Sequence, residues 1–280
     1  MRLSKRVVLV AALVAAVVVP FASASGDRSG GGDHHKARFK ALIFSKTAAF
    51  RHNECIPQGT VKIAQLGVRD GFDVDATENA AAFTDANLAQ YDVVIWLCTT
   101  GDVLNADQQA AFERYIRAGG GYAGIHSASD TEYDWPWYGG LVGAYFRDHP
   151  GVPGVNAQFQ VATMNVEDRH SAATRRLPDP WTREEEWYNF RTNPRDSVHV
   201  LMSVDESTYD PRGYSQPGGS PPMGDHPISW CQPYDGGRAF YTALGHKGVY
   251  WDEPLLLSHV LGGIEMAAGV TRFDCGEEDD

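Results

Sequence analysis

The chain has 280 residues, of which 43% are hydrophobic and 21% are charged, values that are typical of one large or two small globular domains. Its formal net charge of −12 argues against nucleic acid or an anionic membrane surface as a partner, because clustered lysine and arginine bind both. The net charge is compatible with small neutral or cationic molecules as ligands.

The first 24 residues have the pattern of a secretory signal peptide. The basic segment MRLSKR precedes an apolar run, VVLVAALVAAVVV, that is too short to span a bilayer comfortably, and residues 22–24 form a small-residue cleavage site. We therefore predict cleavage after Ala24 and secretion, with no membrane span in the processed chain. An uncleaved N-terminal anchor is the alternative. Residues 25–37 then read as a flexible linker rich in glycine and serine.

Strands and helices alternate along the next part of the chain. The segments FKALIFS, DVDAT, DVVIWLC and GYAGIH predict strands, and NECIPQGTVKIAQLGVRDG and NADQQAAFERYIRAGGG predict helices. The second helix is the clearer one, because Asn105 is an N-cap with Gln108 three residues later, and Gly119 ends the apolar stripe. This alternation predicts an α/β fold, a three-layer sandwich with a mainly parallel central sheet.

The pattern changes after residue 126. AQFQVATMNVED, SVHVLMSVDES and RAFYTALG predict further strands, and DEPLLLSHVLGGIEMAAGV predicts a closing helix. A long segment rich in proline and glycine, YDPRGYSQPGGSPPMGDHP, lies among them, and loops of that length in a compact domain usually cover a site. We expect one domain over residues 38–273, followed by an acidic tail over residues 274–280.

The four cysteines, an even number, favour disulfide bonds in a secreted protein. Cys55 opens the first helix and Cys98 ends the third strand, and in a parallel sheet with crossover helices those two places lie on the same edge. The predicted bridges are Cys55–Cys98 and Cys231–Cys275, of which the second ties the C-terminal segment to a strand. A nucleophilic thiol at Cys98 is the alternative, although no local signature supports it.

The segment GGGYAGIHSASD ends an apolar strand at His126, between Gly124 and the small residues at 127–129. Ligands bind beyond the carboxyl ends of strands in open parallel sheets, and a tight elbow there presents one side chain and tolerates only small neighbours. In hydrolases with this elbow the exposed residue is serine or cysteine. Histidine suits proton transfer or metal ligation instead. A packed histidine bonded to backbone is the structural alternative.

Several other predicted strands deliver a polar or aromatic side chain to the same edge. We expect acid/base chemistry from His126, Glu186 and His246, and substrate binding from Arg51, His52, Asp102, Asp130, Tyr188 and Trp230. Each residue also has a structural interpretation, such as a surface ion pair for Arg51 or core packing for Trp230. The recurrence of such residues at strand ends is what favours a site.

Strong cofactor signatures are absent from the sequence, since it contains no HExxH, no paired CxxC, no GxGxxG after the first strand and no GxxxxGK[ST]. Metal ligands need not be close in sequence, however. A zinc or manganese site could still be formed by His52, His126, His246 and Glu186. The cofactor is thus unknown at this stage, with a divalent metal as one candidate.

The segments FRH, GGGYAGIHSASD, YDWPWYGGLVGAYF, EEWYNF, GDHPISW and GGRAFYTALGH together resemble the ThuA-like family, named for a trehalose-utilisation protein, over residues 39–270. The resemblance implies a flavodoxin-like fold similar to that of class I glutamine amidotransferases, with His126 in the place of the nucleophilic cysteine. It also implies sugar catabolism by enzymes of oxidised (3-keto) glycosides, many of them labelled glycosyl hydrolases. A secreted, stand-alone member favours an extracellular glycan-derived sugar over trehalose.

The expected function is a secreted carbohydrate-metabolism enzyme that acts on a disaccharide or a 3-keto glycoside by acid/base elimination or hydrolysis. A 3-keto sugar has an acidified proton at C2, and a general base of near-neutral pKa can remove it and expel the group at C1. The alternatives are a non-catalytic carbohydrate-binding protein on the same fold and a metal-dependent hydrolase. In each case the expected partner is a small-molecule sugar.

Overall fold

The computed structural model describes residues 37–276 of the chain. The predicted signal peptide, residues 25–36 of the predicted linker and residues 277–280 of the predicted tail lie outside the described residues. Within residues 37–276, no helix has the length and apolar character needed to cross a bilayer.

The described residues form a nine-stranded sheet and a separate two-stranded ribbon. The order in the large sheet is β2-β1-β3-β4-β11-β10-β9-β6-β7, and the ribbon pairs β5 with β8. The strands are β1 (Lys40–Phe44), β2 (Asp73–Thr77), β3 (Val93–Leu97), β4 (Gly121–Ile125), β5 (Phe146–Asp148), β6 (Gln160–Val166), β7 (Trp181–Glu185), β8 (Asn189–Phe190), β9 (His199–Asp205), β10 (Pro227–Tyr234) and β11 (Gly237–Thr242).

The large sheet has a parallel half and an antiparallel half. Strands β2, β1, β3, β4 and β11 are all parallel to one another. Strands β10, β9, β6 and β7 extend the sheet through antiparallel pairs. Strand β3 is buried along its whole length, as expected for a strand covered on both faces. The predicted α/β sandwich with mostly parallel central strands is confirmed, and the antiparallel half begins after the change of pattern at residue 126.

Helices cover both faces of the sheet. Trp96 and Leu97 are neighbours on β3, so their side chains point to opposite faces of the sheet. On one face α1 comes so close at Gly59 that a β-carbon there would lie 3.0 Å from a methyl carbon of Leu97. On the other face Trp96 packs against Phe112 of α3, with ring centroids 5.4 Å apart. The helices are α1 (Cys55–Asp70), α2 (Asp85–Leu88), α3 (Ala106–Arg117), α4 (Pro136–Val142) and α5 (Pro254–Ala267).

Both predicted disulfides are confirmed. Cys55–Cys98 joins the start of α1 to the end of β3, and Cys231–Cys275 joins β10 to the C-terminal segment. The alternative of a nucleophilic Cys98 is wrong, because its sulfur is bonded to Cys55. Cys275, which falls within the predicted tail, is buried as well as bridged.

His259 on α5 is a buried histidine at a distance from the strand-end residues. Its Nδ1 donates to the carbonyl of Ala173 at 2.9 Å, and its side chain is fully buried. Burial lowers the pKa of His259 to about 4, since the hydrogen bond to Ala173 offsets only part of that effect, and the charge of Arg183 lowers the pKa further. The folded protein therefore keeps this ring neutral in mildly acidic solution.

This histidine should make the folded state less stable as the pH falls. Between about pH 6.5 and about pH 4 the unfolded chain binds a proton at His259 that the folded chain does not, which costs up to about 3 kcal/mol of the free energy of unfolding. Replacing His259 with glutamine should remove that part of the pH dependence. Urea unfolding of both proteins across this pH range checks it, and parallel stability curves would contradict it.

Candidate functional site

His126 ends β4 in a backbone conformation that is rare for residues other than glycine. Its φ angle is +53°, and a short 3₁₀ turn spans His126–Asp130. The two serines after it are buried: Ser127 Oγ lies 3.2 Å from His52 Nδ1, and Ser129 Oγ lies 2.8 Å from the hydroxyl of Tyr241. The neighbours of His126 are small because other side chains occupy the space around the turn.

Three histidines from distant parts of the chain meet beside this turn. His52 follows β1, His126 follows β4, and His246 follows β11. The ring centroids are 4.8 Å apart for His52 and His126 and 4.9 Å apart for the other two pairs. The three strands are parallel, so their carboxyl ends share one edge of the sheet, and this brings the rings together.

Glu186, which follows β7, adds a carboxylate to the three rings. Its Oε2 lies 2.8 Å from His246 Nδ1 and 3.5 Å from His126 Nε2, and these two nitrogens are 3.0 Å apart. Its Oε1 accepts a hydrogen bond from Gln158 and lies 3.2 Å from His149 Nε2. One carboxylate therefore bridges side chains from both halves of the sheet.

We call His52, His126, Glu186 and His246 the cluster. One nitrogen or oxygen atom from each of these side chains lies within 4.8 Å of the corresponding atoms of the other three. His52, His126 and Glu186 are buried, and His246 is partly exposed. The four residues that the sequence offered as a candidate metal set are thus close together in space.

The surroundings of the cluster determine which of its atoms carry hydrogens. His126 Nδ1 lies 2.8 Å from the carbonyl oxygen of Ala243, which only accepts, so Nδ1 carries a hydrogen and the neutral form of the ring has its lone pair on Nε2, 3.0 Å from the hydroxyl of Tyr188. Burial, together with His126 and His246, lowers the pKa of His52 to about 2 and keeps it neutral. Burial alone would raise the pKa of Glu186, but its contacts with His126 and His246 lower it well below the usual range.

The cluster forms the floor of a cavity of about 210 Å³ at the carboxyl edge of the parallel strands. Its aromatic walls are Phe50, Phe146, Tyr188 and Tyr214, and its polar lining is His52, Asp130, His149, Gln158, Glu186 and His246. His126 is fully buried behind this lining, with Nε2 3.0 Å from the hydroxyl of Tyr188. A ligand in the cavity would meet Glu186 and His246 directly.

Three of the residues predicted to bind substrate lie away from the cavity. Arg51 makes two hydrogen bonds to the carboxylate of Glu78, at 2.7 and 2.8 Å, beside a separate surface hollow. Asp102 is exposed at another hollow, near the start of α3. Trp230 is buried in the core, where its indole N–H donates to the carbonyl of Val142 at 2.8 Å. The structural interpretations of Arg51 and Trp230 therefore fit better than substrate binding.

Five cavity residues were missed by the sequence analysis. They are Phe50, Phe146, His149, Gln158 and Tyr214. His149 and Gln158 follow no recognisable spacing, because both lie in the irregular segment between β5 and β6. Tyr214 had one available signal, since it lies in the long segment predicted to cover a site.

That long segment is attached to the domain through Asp148, at the end of β5. The buried carboxylate of Asp148 accepts hydrogen bonds from Ser215 and Ser220 of the loop and, at 2.8 Å, from Asn189 Nδ2. The loop then places Tyr214 against the ring of His149, with centroids 4.7 Å apart. One carboxylate therefore holds a wall of the cavity in place.

A family model described as ThuA, trehalose utilisation, matches residues 40–267, which include every residue of the cluster. The chain belongs to the ThuA family. Among solved structures, it is similar to a ThuA-like protein from Bacteroides uniformis, with 25% identity, a TM-score of 0.67 and coverage of 85% of this chain and 94% of that one. A ThuA-like protein from Parabacteroides merdae has 20% identity, a TM-score of 0.64 and coverage of 84% and 91%.

ThuA membership links the chain to carbohydrate utilisation. No protein of curated function matches it.

Proposed function

We propose that this ThuA-family protein is a secreted enzyme of carbohydrate metabolism that cleaves an oxidised (3-keto) glycoside by elimination or hydrolysis. The observation that supports this most strongly is the convergence of the cluster with two further ionisable side chains, Asp130 and His149, in one aromatic-walled cavity. The two disulfides are compatible with the predicted secretion.

The lining of the cavity suits one sugar ring. The exposed aromatic rings of Phe50 and Tyr214 offer flat apolar faces that can stack on the C–H face of a sugar. The polar side chains opposite them can hydrogen-bond with hydroxyl and carbonyl oxygens. A mostly apolar cavity with a few converging polar groups is the usual form of a small-molecule site.

The reaction requires one group that accepts the C2 proton and one that protonates the oxygen leaving C1. Burial raises the pKa of Asp130, and this strengthens the carboxylate as a base. Both ring nitrogens of His149 face acceptor oxygens, with Nδ1 2.5 Å from the carbonyl of Pro150 and Nε2 3.2 Å from Glu186 Oε1. An imidazole at this place in the cavity can donate the second proton.

In this proposal the residues predicted for acid/base chemistry do not transfer the protons themselves. Glu186 and His246 line the cavity, and His126 supports them from behind. At the floor of the cavity Glu186 and His246 bind and orient hydroxyl groups of the sugar ring. Asp130 and His149 carry the proton transfers.

The proposal is tested with a panel of 3-keto disaccharides and their unoxidised parents, with release of the C1 group followed by NMR. We expect turnover of the keto sugars and at least a hundredfold lower turnover of the parents, because only the ketone acidifies the C2 proton. Equal turnover of both sets would contradict elimination and indicate a simple glycosidase. Saturable binding without turnover would favour the carbohydrate-binding protein, the candidate that the aromatic walls also suit.

A further inference from the structure

We infer that the cluster, His52, His126, Glu186 and His246, is a binding site for one divalent transition-metal ion. Metal binding itself is independent of the sugar reaction, and only the use of the ion in turnover rests on the proposed function. The distances within the cluster, its lone pairs, the residues that orient it and its ligand types support the inference separately.

The distances between the nitrogen and oxygen atoms of the cluster are close to those expected around a bound metal ion. Nitrogen and oxygen ligands lie about 2.0–2.2 Å from such an ion, so two ligands of one ion are separated by about 3–4 Å. In the cluster, three of the separations are 2.8, 3.0 and 3.5 Å, and the whole set falls within 4.8 Å. Shifts of an ångström or less in the side chains would complete the coordination.

The cluster directs lone pairs from several side chains towards one point. His126 Nε2 has a lone pair, because its Nδ1 carries the hydrogen that bonds to Ala243. Glu186 Oε2 is a carboxylate oxygen, and both atoms face His246 Nδ1, while the hydroxyl of Tyr188 lies 3.0 Å from His126 Nε2. The side chains of His126 and Glu186 are 0% and 2% exposed. A cation at this point would find ligand atoms of two buried side chains already directed towards it.

A second group of residues orients the cluster. A backbone carbonyl fixes His126, the hydroxyl of Ser127 lies 3.2 Å from His52 Nδ1, and Gln158 donates to the second oxygen of Glu186. Metal-binding histidines commonly use their other ring nitrogen in this way, which sets the tautomer and the direction of the ring.

The ligand types select the class of ion. Three imidazoles and one carboxylate favour Zn²⁺, Mn²⁺, Fe²⁺, Co²⁺ or Ni²⁺ over Ca²⁺ and Mg²⁺, which prefer oxygen ligands. His52, Glu186 and His246 line the cavity, so a coordination position would remain open towards a substrate. The ketone oxygen of a 3-keto sugar is the group that such an ion would polarise.

The test is metal analysis of the purified, untagged full-length chain in a background with His34 and His35 replaced by alanine, which excludes the two linker histidines. The protein is stripped with chelator, exposed separately to Zn²⁺, Mn²⁺ and Co²⁺ in excess, and desalted before elemental analysis. We expect about one ion per chain for at least one of these metals, and visible absorption bands for a cobalt-loaded site.

Variants identify the site. Glu186→Gln should lower the affinity for the ion at least tenfold, and Gln158→Leu, which removes only a supporting hydrogen bond, should lower it by about tenfold. The matched control is His199→Ala, because that histidine pairs with Asp168 at 3.0 Å outside the cavity, and it should bind the ion normally.

Circular dichroism of each variant establishes that it is folded. Less than about one tenth of an ion per chain with every metal would overturn the inference, as would unchanged affinity in folded Glu186→Gln and Gln158→Leu proteins. A bound ion without turnover of any sugar would refute the proposed function and leave the metal site standing. Turnover by protein that binds no ion would refute the metal site and leave the proposed function standing.

Discussion

Replacing Asp130 with asparagine should lower kcat for a 3-keto glycoside by about 10²–10⁴-fold and change KM little. Asparagine keeps the shape of the side chain and its contact with the hydroxyl of Tyr133, which is 2.6 Å from Asp130 Oδ1, but it cannot accept the C2 proton. Steady-state kinetics on the sugar with the highest turnover measure both constants. Because Asp130 does not belong to the cluster, the metal content should be unchanged.

Asp134→Asn is the matched control, since that carboxylate lies four residues further along the chain and is exposed. It should retain wild-type kinetics. An Asp130→Asn enzyme that keeps more than about a tenth of its kcat would assign the proton transfer to another group. A large rise in KM with kcat unchanged would instead make Asp130 a substrate-binding residue, as the sequence analysis first suggested.

Replacing Asp148 with alanine should release the long loop and raise KM at least about tenfold. The change leaves Ser215, Ser220 and Asn189 without their shared acceptor, and it removes the partner of Arg147, whose Nε lies 3.4 Å from Asp148 Oδ2. Breaking a buried charged network of this kind costs about 3 kcal/mol of the free energy of unfolding. Michaelis–Menten kinetics, urea unfolding and limited proteolysis of residues 209–226 measure the three effects.

The contribution of Asp148 should also depend on pH. Burial alone would raise the pKa of Asp148, but the hydrogen bonds from Ser215, Ser220 and Asn189 outweigh it and lower the pKa. The stabilisation is therefore present above about pH 4 and is lost as the pH falls further, through the lowered pKa of the folded state. Asp210→Asn is the control in the same loop, because Asp210 pairs with the exposed Arg212. Equal protease resistance in Asp148→Ala and wild type would refute the role of this carboxylate in holding the loop.

The parallel half of the sheet could be predicted from the sequence because its signals are local. Strand β3 is recognisable from its fully apolar sequence. Helix α3 is recognisable from the capping box formed by Asn105 and Gln108. In the antiparallel half β6 and β9 could be predicted as strands without an order, and β7 matches no segment predicted as a strand. The pairing of β6 with β7 and β9 depends on contacts between distant segments, which no local pattern records.

The candidate site could be predicted from the sequence to a similar extent. His52, His126 and His246 stand at the ends of parallel strands, so their meeting follows from the predicted topology. Glu186 comes from the antiparallel half, and its position could be guessed only from the family segment EEWYNF. Arg51 shows the limit of the approach, because the strand end alone does not determine that its side chain turns to Glu78 while its neighbour His52 turns into the cavity.

The bridge between Cys55 and Cys98 has a consequence for where the protein can work. Cys55 lies three residues after His52, and Cys98 ends a strand beside the one that leads to His126. The covalent link fixes the position of the segment that carries His52 relative to the sheet, so little conformational freedom is lost when this ring takes its place in the cavity. In a reducing compartment the same segment would be held by noncovalent contacts alone. An oxidising environment thus preserves the shape of the cavity as well as the stability of the domain.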